Sequence, residues 1–245
     1  MASSDITLYF LNSSRAIRVA WLLEELDLPY QAICADRAPN GLAPPDFKSK
    51  IPNTLGKSPT IQDGDLVVTE SGAILEYLCE IYDTKNRYLP IDPATRATIR
   101  QWLHAAEGTF MIHAIAILYL RWQMPEEGQR MLPGIEERMS KNVRNDLAWL
   151  EATLKDQKEQ GRGWIVGEEM SIADIQMQFR YVMWFLVEAW LITGIEFVFE
   201  RKLGVDPGKN EFPEISSWLA RTKKEGAYKK AVEETDYTLQ GSFRK

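Results

Sequence analysis

The chain has 245 residues, 45% apolar and 26% charged, which leaves room for one large or two modest domains with ample core. Its net charge of −6, with Lys and Arg scattered, argues against an electrostatic grip on nucleic acid. Cys34 and Cys79 form no spaced motif, so a disulfide between them is open but undemanded, and a reduced cytoplasmic setting is the simpler reading.

The opening Met-Ala-Ser-Ser-Asp lacks a basic region followed by an apolar one, so no secretory signal is expected. Ile6–Phe10 is a short apolar run of strand type, and polar Asn12-Ser13-Ser14 leads into a helix with Val19, Leu22, Leu23 and Leu26 at helical spacing. Leu28-Pro29-Tyr30 stops that helix, Gln31–Cys34 reads as a second strand, and the Pro- and Gly-rich stretch from Asp36 to Pro45 reads as a loop. A helical piece over Asp46–Ile51 precedes two strands joined by an Asp63-Gly64 turn. A helix then opens at Glu70-Ser71-Gly72 and carries Ile74, Leu75, Leu78, Ile81 and Tyr82 as its buried stripe. The order β-α-β-α-β-β-α is the thioredoxin-like layout, with a right-handed crossover between parallel first strands and a closing hairpin.

Residues 85–93, with Pro90 and Pro93, read as a linker between a domain over 1–84 and an all-helical domain over 94–245. Helices are expected at Ala94–Arg121, Ile135–Gln160 and Ile172–Val187, with two short ones after Phe212-Pro213, and Pro125 and Gly128 break the first from the next. Val182–Phe199 is the nearest approach to a membrane segment, but Glu188 and Glu196 interrupt it, and it reads as a buried or interface helix. Residues 180–204 are richer in large apolar side chains than a simple helix needs, and pocket cover and partner contact stay open for them.

Chemistry concentrates in the first domain. Pro59 at a strand start has no N–H for the ladder, which leaves the Ser58 backbone free to pair with an extended peptide. Ser71 stands at a helix start, where unpaired N–H groups and the helix dipole attract a carboxylate. Asn12-Ser13-Ser14-Arg15 brings an amide, two hydroxyls, a helix start and a cation, the groups that lower a thiol's pKa. Ser before a helix is also an ordinary cap worth about 1 kcal/mol, so either role is open from the residues alone. His104 and His113 lie nine residues apart, unlike an i, i+4 metal pair, and no metal is assigned.

Leu55-Gly-Lys-Ser-Pro59 followed by Glu70-Ser71-Gly72-Ala73-Ile74 resembles the glutathione-binding motif of the glutathione transferases. Ser14 to Leu26 looks like the first helix of that family, and Glu107-Gly108 within Gln101–Met111 and Ser171-Ile-Ala-Asp174 look like its fourth and sixth helices. Pro44-Pro45 and Ser14-Arg15 point to the fungal and bacterial branch. The resemblance implies that Glu70 binds the γ-glutamyl amine and Ser71 the γ-glutamyl carboxylate. Ser58 would pair its backbone with the cysteinyl unit across cis-Pro59, Lys57 and Asn53 would face the glycyl carboxylate, and Arg15 would assist binding. His104, Glu107 and Met111 would line the pocket for the electrophile. The Ser171–Asp174 pair would be a helix-capping box, a folding element.

The thiol-activating residue is where the chain departs from its relatives. Ungapped counting from Arg15 puts Leu11 at the serine-class position, and Tyr9 reads as a sheet residue. Ser14 is the first candidate, with Ser13 and Asn12 behind it. No Cys stands here, which weighs against disulfide reduction through an enzyme thiol. The expected function is attack of glutathione thiolate on hydrophobic electrophiles by a homodimer. The alternatives are a glutathione-dependent peroxidase or disulfide reductase, and a non-catalytic binding protein that keeps the fold.

Overall fold

The computed structural model describes residues 5–178 and 211–237. The expectations for Val182–Phe199, for 180–204 and for the end of the Ile172–Val187 helix lie outside the described residues. The described residues up to Leu89, with those from Lys223 onward, form one compact unit, and those from Pro90 to Thr222 form a second.

The first unit is a four-stranded sheet in the order β2-β1-β3-β4. β1 (Ile6–Leu11) runs parallel to β2 (Tyr30–Ala35) with Phe10 opposite Cys34, and antiparallel to β3 (Thr60–Asp63) with Tyr9 opposite Thr60. β3 and β4 (Leu66–Thr69) close as a hairpin with Asp63 opposite Leu66. Gly64 takes φ +57° in the two-residue turn, the conformation that makes glycine the default there. Helices α1 (Ala16–Glu25), α2 (Pro45–Lys48) and α3 (Ser71–Tyr82) complete the thioredoxin-like layout. Alternation along β1 divides its side chains: Tyr9 and Leu11 pack with Phe47 of α2 and Ile51 on one face, while Leu8 and Phe10 are fully buried on the other.

Helix α1 is buried almost throughout, and burying each of Val19, Leu22 and Leu23 contributes about 1.5–3 kcal/mol. Its outer partner is the last described helix, Gly226–Glu234, which belongs to the first unit and not, as a contiguous second domain would have it, with the other helices. Tyr228 meets Trp21 edge-on at 5.1 Å, and Lys230 Nζ lies 2.6 Å from the carboxylate of buried Glu24. Part of the expected linker also packs into this unit: Tyr88 and Leu89 are buried, and the Tyr88 hydroxyl donates to Glu25 Oε2 at 2.7 Å.

The second unit is helical. Asp92 caps α4 (Pro93–Ala105) by accepting from the Thr95 N–H at 2.8 Å, with Pro93 at the first helical position. The run continues through a π-helical segment, Ala106–Met111, into α5 (Ile112–Gln123). It is long and apolar enough to cross a membrane, yet Ile99, Trp102, Leu103, Ala114 and Ile117 are buried within the unit, as in a core helix. α6 (Leu132–Glu159) packs against α5 and against α8 (Pro213–Thr222), and α4 packs against α7 (Ile172–Met177). The last described helix is α9 (Gly226–Glu234).

Asp174 is fully buried at the centre of the capping box of α7. It accepts from the N–H groups of Ser171 and Ile165 at 3.0 Å each and from Trp218 Nε1 at 2.9 Å. One carboxylate therefore ties together the α7 start, the preceding turn and α8.

Candidate functional site

Three segments of the first unit hold the candidate residues: one bonds to the end of β1, one leads from β1 into α1, and one bonds to α1. The first is Ser58-Pro59, joined by a cis peptide. The Ser58 hydroxyl donates to the Tyr9 carbonyl at 2.8 Å and accepts from the Leu11 N–H at 3.0 Å. It thereby satisfies the β1 edge beside a residue that has no N–H to offer. Among the described residues, the main chain of Ser58 itself makes no hydrogen bond. Asn53 shapes this loop: its amide donates to Thr60 Oγ1 at 2.7 Å and to the Lys57 carbonyl at 3.4 Å, and its oxygen accepts from the Leu55 N–H at 2.9 Å. Lys57 is exposed beside it.

The second segment is the β1–α1 loop, where Asn12, Ser13 and Ser14 are all buried. The Asn12 amide nitrogen donates to Asp36 Oδ1 at 2.8 Å and to the Asp236 carbonyl at 3.3 Å. Turning the amide over would aim its oxygen at a carboxylate and a carbonyl, so both N–H groups are committed to these partners. Ser13 takes φ +55°, a region a non-glycine residue enters at a cost of about 1–3 kcal/mol. Its carbonyl accepts from Arg37 Nη2 at 2.8 Å, while Arg37 Nη1 holds the Gly41 carbonyl at 3.0 Å. Ser14 is 8% exposed, and its oxygen accepts from the Ala16 N–H at 3.1 Å. Arg15, half-buried, precedes the first residue of α1.

The third segment is the start of α3. Glu70 takes φ +71° and points to solvent, and Ser71 behind it is buried. The Ser71 oxygen accepts from Arg18 Nη1 at 3.2 Å, and Arg18, on α1, is 1% exposed. Arg18 thus sets a guanidinium charge beside the start of α3, where helix N–H groups and the helix dipole favour an anion.

The structure thus bonds Ser58, next to Pro59, to β1 and Ser71, next to Glu70, to α1, with Asn12, Ser13 and Ser14 in the loop that connects β1 to α1. It gives Asn53 a loop-building role beside Lys57. Arg18, Arg37, Asp36 and Asp236 were not among the sequence candidates. Arg18 carried a signal, because it falls four residues after Ser14 and four before Leu22 on the buried stripe of α1. Asp236 carried none. Cys34, opposite Phe10 on β2, has its thiol pushed up by burial and by the carboxylates of Asp236 and Asp36, which keeps it protonated and a poor nucleophile. Tyr30 is likewise pushed up, by burial and then by Glu24.

In the second unit, His104 is exposed, Glu107 half-buried and Met111 2% exposed. Glu107 and Met111 lie within the π-helical segment Ala106–Met111, so the α-helical step does not relate them to His104. His113 instead pairs with Asp146 of α6, Nδ1 to Oδ2 at 2.7 Å.

Residues 4–80 match the family model for the glutathione S-transferase N-terminal domain. Glutathione S-transferase 3 of Schizosaccharomyces pombe is 32% identical over 182 residues, covering 71% of this chain and 72% of that protein. A glutathione S-transferase structure from Actinobacillus pleuropneumoniae is 29% identical with a TM-score of 0.71, covering 96% of this chain and 94% of that one. The structure of Ure2p in complex with glutathione is 25% identical with a TM-score of 0.69, covering 94% of this chain and 99% of that one. The chain belongs to the glutathione S-transferase family.

Proposed function

We propose that the chain binds glutathione through its first unit, activates the thiol with Ser14, and transfers the sulfur to hydrophobic electrophiles. The observation that carries this reading is the state of the Ser14 hydroxyl. It is buried at the end of β1 and accepts from a helix N-terminal N–H, and no acceptor for its own proton lies among the described residues. A hydroxyl polarised in this way is a strong donor to a thiolate. The thiol proton leaves to solvent, the sulfur lone pair forms the new S–C bond, and the leaving group departs with its electron pair.

Binding follows from the remaining groups. Glu70 takes the γ-glutamyl amine, and Ser71 with the α3 start takes the γ-glutamyl carboxylate, reinforced by Arg18. The Ser58 main chain pairs with the cysteinyl unit, Lys57 takes the glycyl carboxylate, and Arg15 adds positive charge. Asn53 acts by holding Lys57 and Ser58 in place. Ure2p was crystallised with glutathione, which supports this choice of ligand. To the second unit we assign the electrophile walls, through His104, Glu107 and Met111, on family resemblance. The free cysteines Cys34 and Cys79 favour a reducing, cytoplasmic setting, and the protonated state of Cys34 speaks against reduction through an enzyme thiol.

Calorimetric titration with reduced glutathione, for wild type and Ser14→Ala, tests the reading. Binding by both, with conjugating activity lost only in the variant, is the expected result. Absence of binding by wild type would make the chain a non-catalytic relative.

A further inference from the structure

The donor side of Asn12 is occupied by a residue from the far end of the chain. Helix α9 ends in a Schellman motif: Asp236 takes φ +45°, its N–H reaches the Glu233 carbonyl at 3.2 Å, and the Tyr237 N–H reaches the Val232 carbonyl at 3.0 Å. That geometry fixes the direction of the Asp236 carbonyl, which accepts from Asn12 at 3.3 Å. It also places Tyr237, 4% exposed, edge-on against Phe10 of β1 at 5.8 Å. Helix α9 is in turn anchored on α1 by the Trp21–Tyr228 contact and the Glu24–Lys230 pair. The cap therefore touches both residues that flank Leu11 and lead into Ser13 and Ser14.

We infer that the Thr235–Tyr237 cap is a positioning device for the thiol site: it clamps Phe10 and Asn12 so that the Ser14 hydroxyl is held where a thiolate can accept from it. This rests on the reading of Ser14 as thiol activator. Asn12 becomes a positioning residue, since both its N–H groups serve Asp36 and the cap and none is left for sulfur. Asp36 supports the same clamp from the β2 end.

The test compares Tyr237→Leu, Asp236→Pro and Asp236→Gly with wild type. Proline cannot take the left-handed conformation, whereas glycine takes it readily and keeps the carbonyl. The readouts are the pH profile of kcat/KM for 1-chloro-2,4-dinitrobenzene at saturating glutathione, and the glutathione Kd by calorimetry. Tyr237→Leu and Asp236→Pro are expected to lose roughly fivefold to tenfold near pH 6.5 and to recover at alkaline pH, as a raised thiol pKa requires. The glutathione Kd is expected to stay within about twofold, and Asp236→Gly to keep the wild-type profile. In an Asn12→Ala background, adding Tyr237→Leu is expected to shift the profile by less than it does in the wild type, a full additive shift would overturn the inference, and this cycle carries the test should Asp236→Pro not fold.

A loss equal at every pH, or a lower Tm with the profile unmoved, would overturn the inference and leave the cap as packing. A wild type that never conjugates would overturn the reading of Ser14 beneath it, and the inference with it. That failure shows in the wild-type protein alone.

Discussion

Ser14→Ala separates two roles that one hydroxyl can play. As a local cap, Ser14 accepts from the Ala16 N–H at 3.1 Å, and losing that bond costs about 1 kcal/mol. In a domain of this size, that is a drop of roughly 2–4 °C in Tm. As a donor to a thiolate, it makes a charge-assisted bond worth about 1.5–3 kcal/mol. Dividing by about 1.4 kcal/mol per pKa unit, its loss raises the bound thiol by roughly one to two units. The thiolate fraction well below the new pKa, and with it the conjugation rate near pH 6.5, then falls by roughly ten- to a hundredfold. The deficit is expected to close as pH rises past the new pKa. The assay is the rate with 1-chloro-2,4-dinitrobenzene at saturating glutathione across about pH 5.5 to 9, alongside glutathione affinity and Tm. Ser14→Thr, which keeps a hydroxyl, is expected to retain most of the acid-side rate. If Ser14→Ala loses the few degrees of Tm and keeps the wild-type pH profile, the residue is only a cap, and the thiol activator must be sought elsewhere.

Four further outcomes are expected, the first three from the geometry and the last from the family resemblance. Arg18→Met is expected to weaken glutathione binding about tenfold by calorimetry, because it removes the guanidinium from Ser71. Cysteinylglycine, which lacks the γ-glutamyl carboxylate, is expected to lose nothing, and an equal loss for both thiols would refute the assignment. Asp174→Ala strands the buried donors of Ser171, Ile165 and Trp218 and is expected to cost about 3–5 kcal/mol in denaturant unfolding, with unchanged glutathione affinity in the folded fraction. Cys34 is expected to react with iodoacetamide near pH 8 more slowly than an ordinary exposed thiol, and Asp36→Asn to speed it, since burial, Asp236 and Asp36 all raise its pKa. A homodimer is expected, and a particle of 28.1 kDa by sedimentation at micromolar concentration would exclude it.

Much of the first unit was legible because its signals are local. Pro29 ends a helix, Gly64 makes a turn, and alternation in β1 divides Tyr9 and Leu11 from Leu8 and Phe10. The capping box at Ser171 and Asp174 was legible for the same reason, with both partners three residues apart. The π-helical segment at Ala106–Met111 was not, because nothing in Gln101–Met111 marks the extra residue that widens the helix, and a wheel drawn at one fixed step misplaces every residue beyond it. The packing of α9 on α1 was also hidden: its contacts, Trp21 with Tyr228 and Glu24 with Lys230, join positions more than two hundred residues apart.

The site shows why residue type at a motif position fails to settle a role. Asn12, Ser13 and Ser14 are adjacent, polar and buried, and the sequence offers all three for the same task. Their partners distinguish them. Asn12 has its donors held by Asp36 and Asp236, and Ser13 offers its carbonyl to Arg37 from a strained backbone. Ser14 alone combines a hydroxyl oxygen fixed by a helix N–H with a proton left to give. Both partners of the Asn12 amide nitrogen are acidic residues, 24 and 224 positions away. An acidic surround would by itself disfavour a thiolate. For the role proposed for Ser14, it matters that Asn12 turns its N–H groups toward those groups, one a side-chain carboxylate and one a backbone carbonyl, while Ser14 lies two residues on, at the positive start of α1. Replacing Asn12 by Asp should therefore set a second carboxylate against Asp36, and is expected to reduce activity near neutral pH more than Asn12→Ala does. Equal activity in the two variants would mean that this charge does not reach the sulfur.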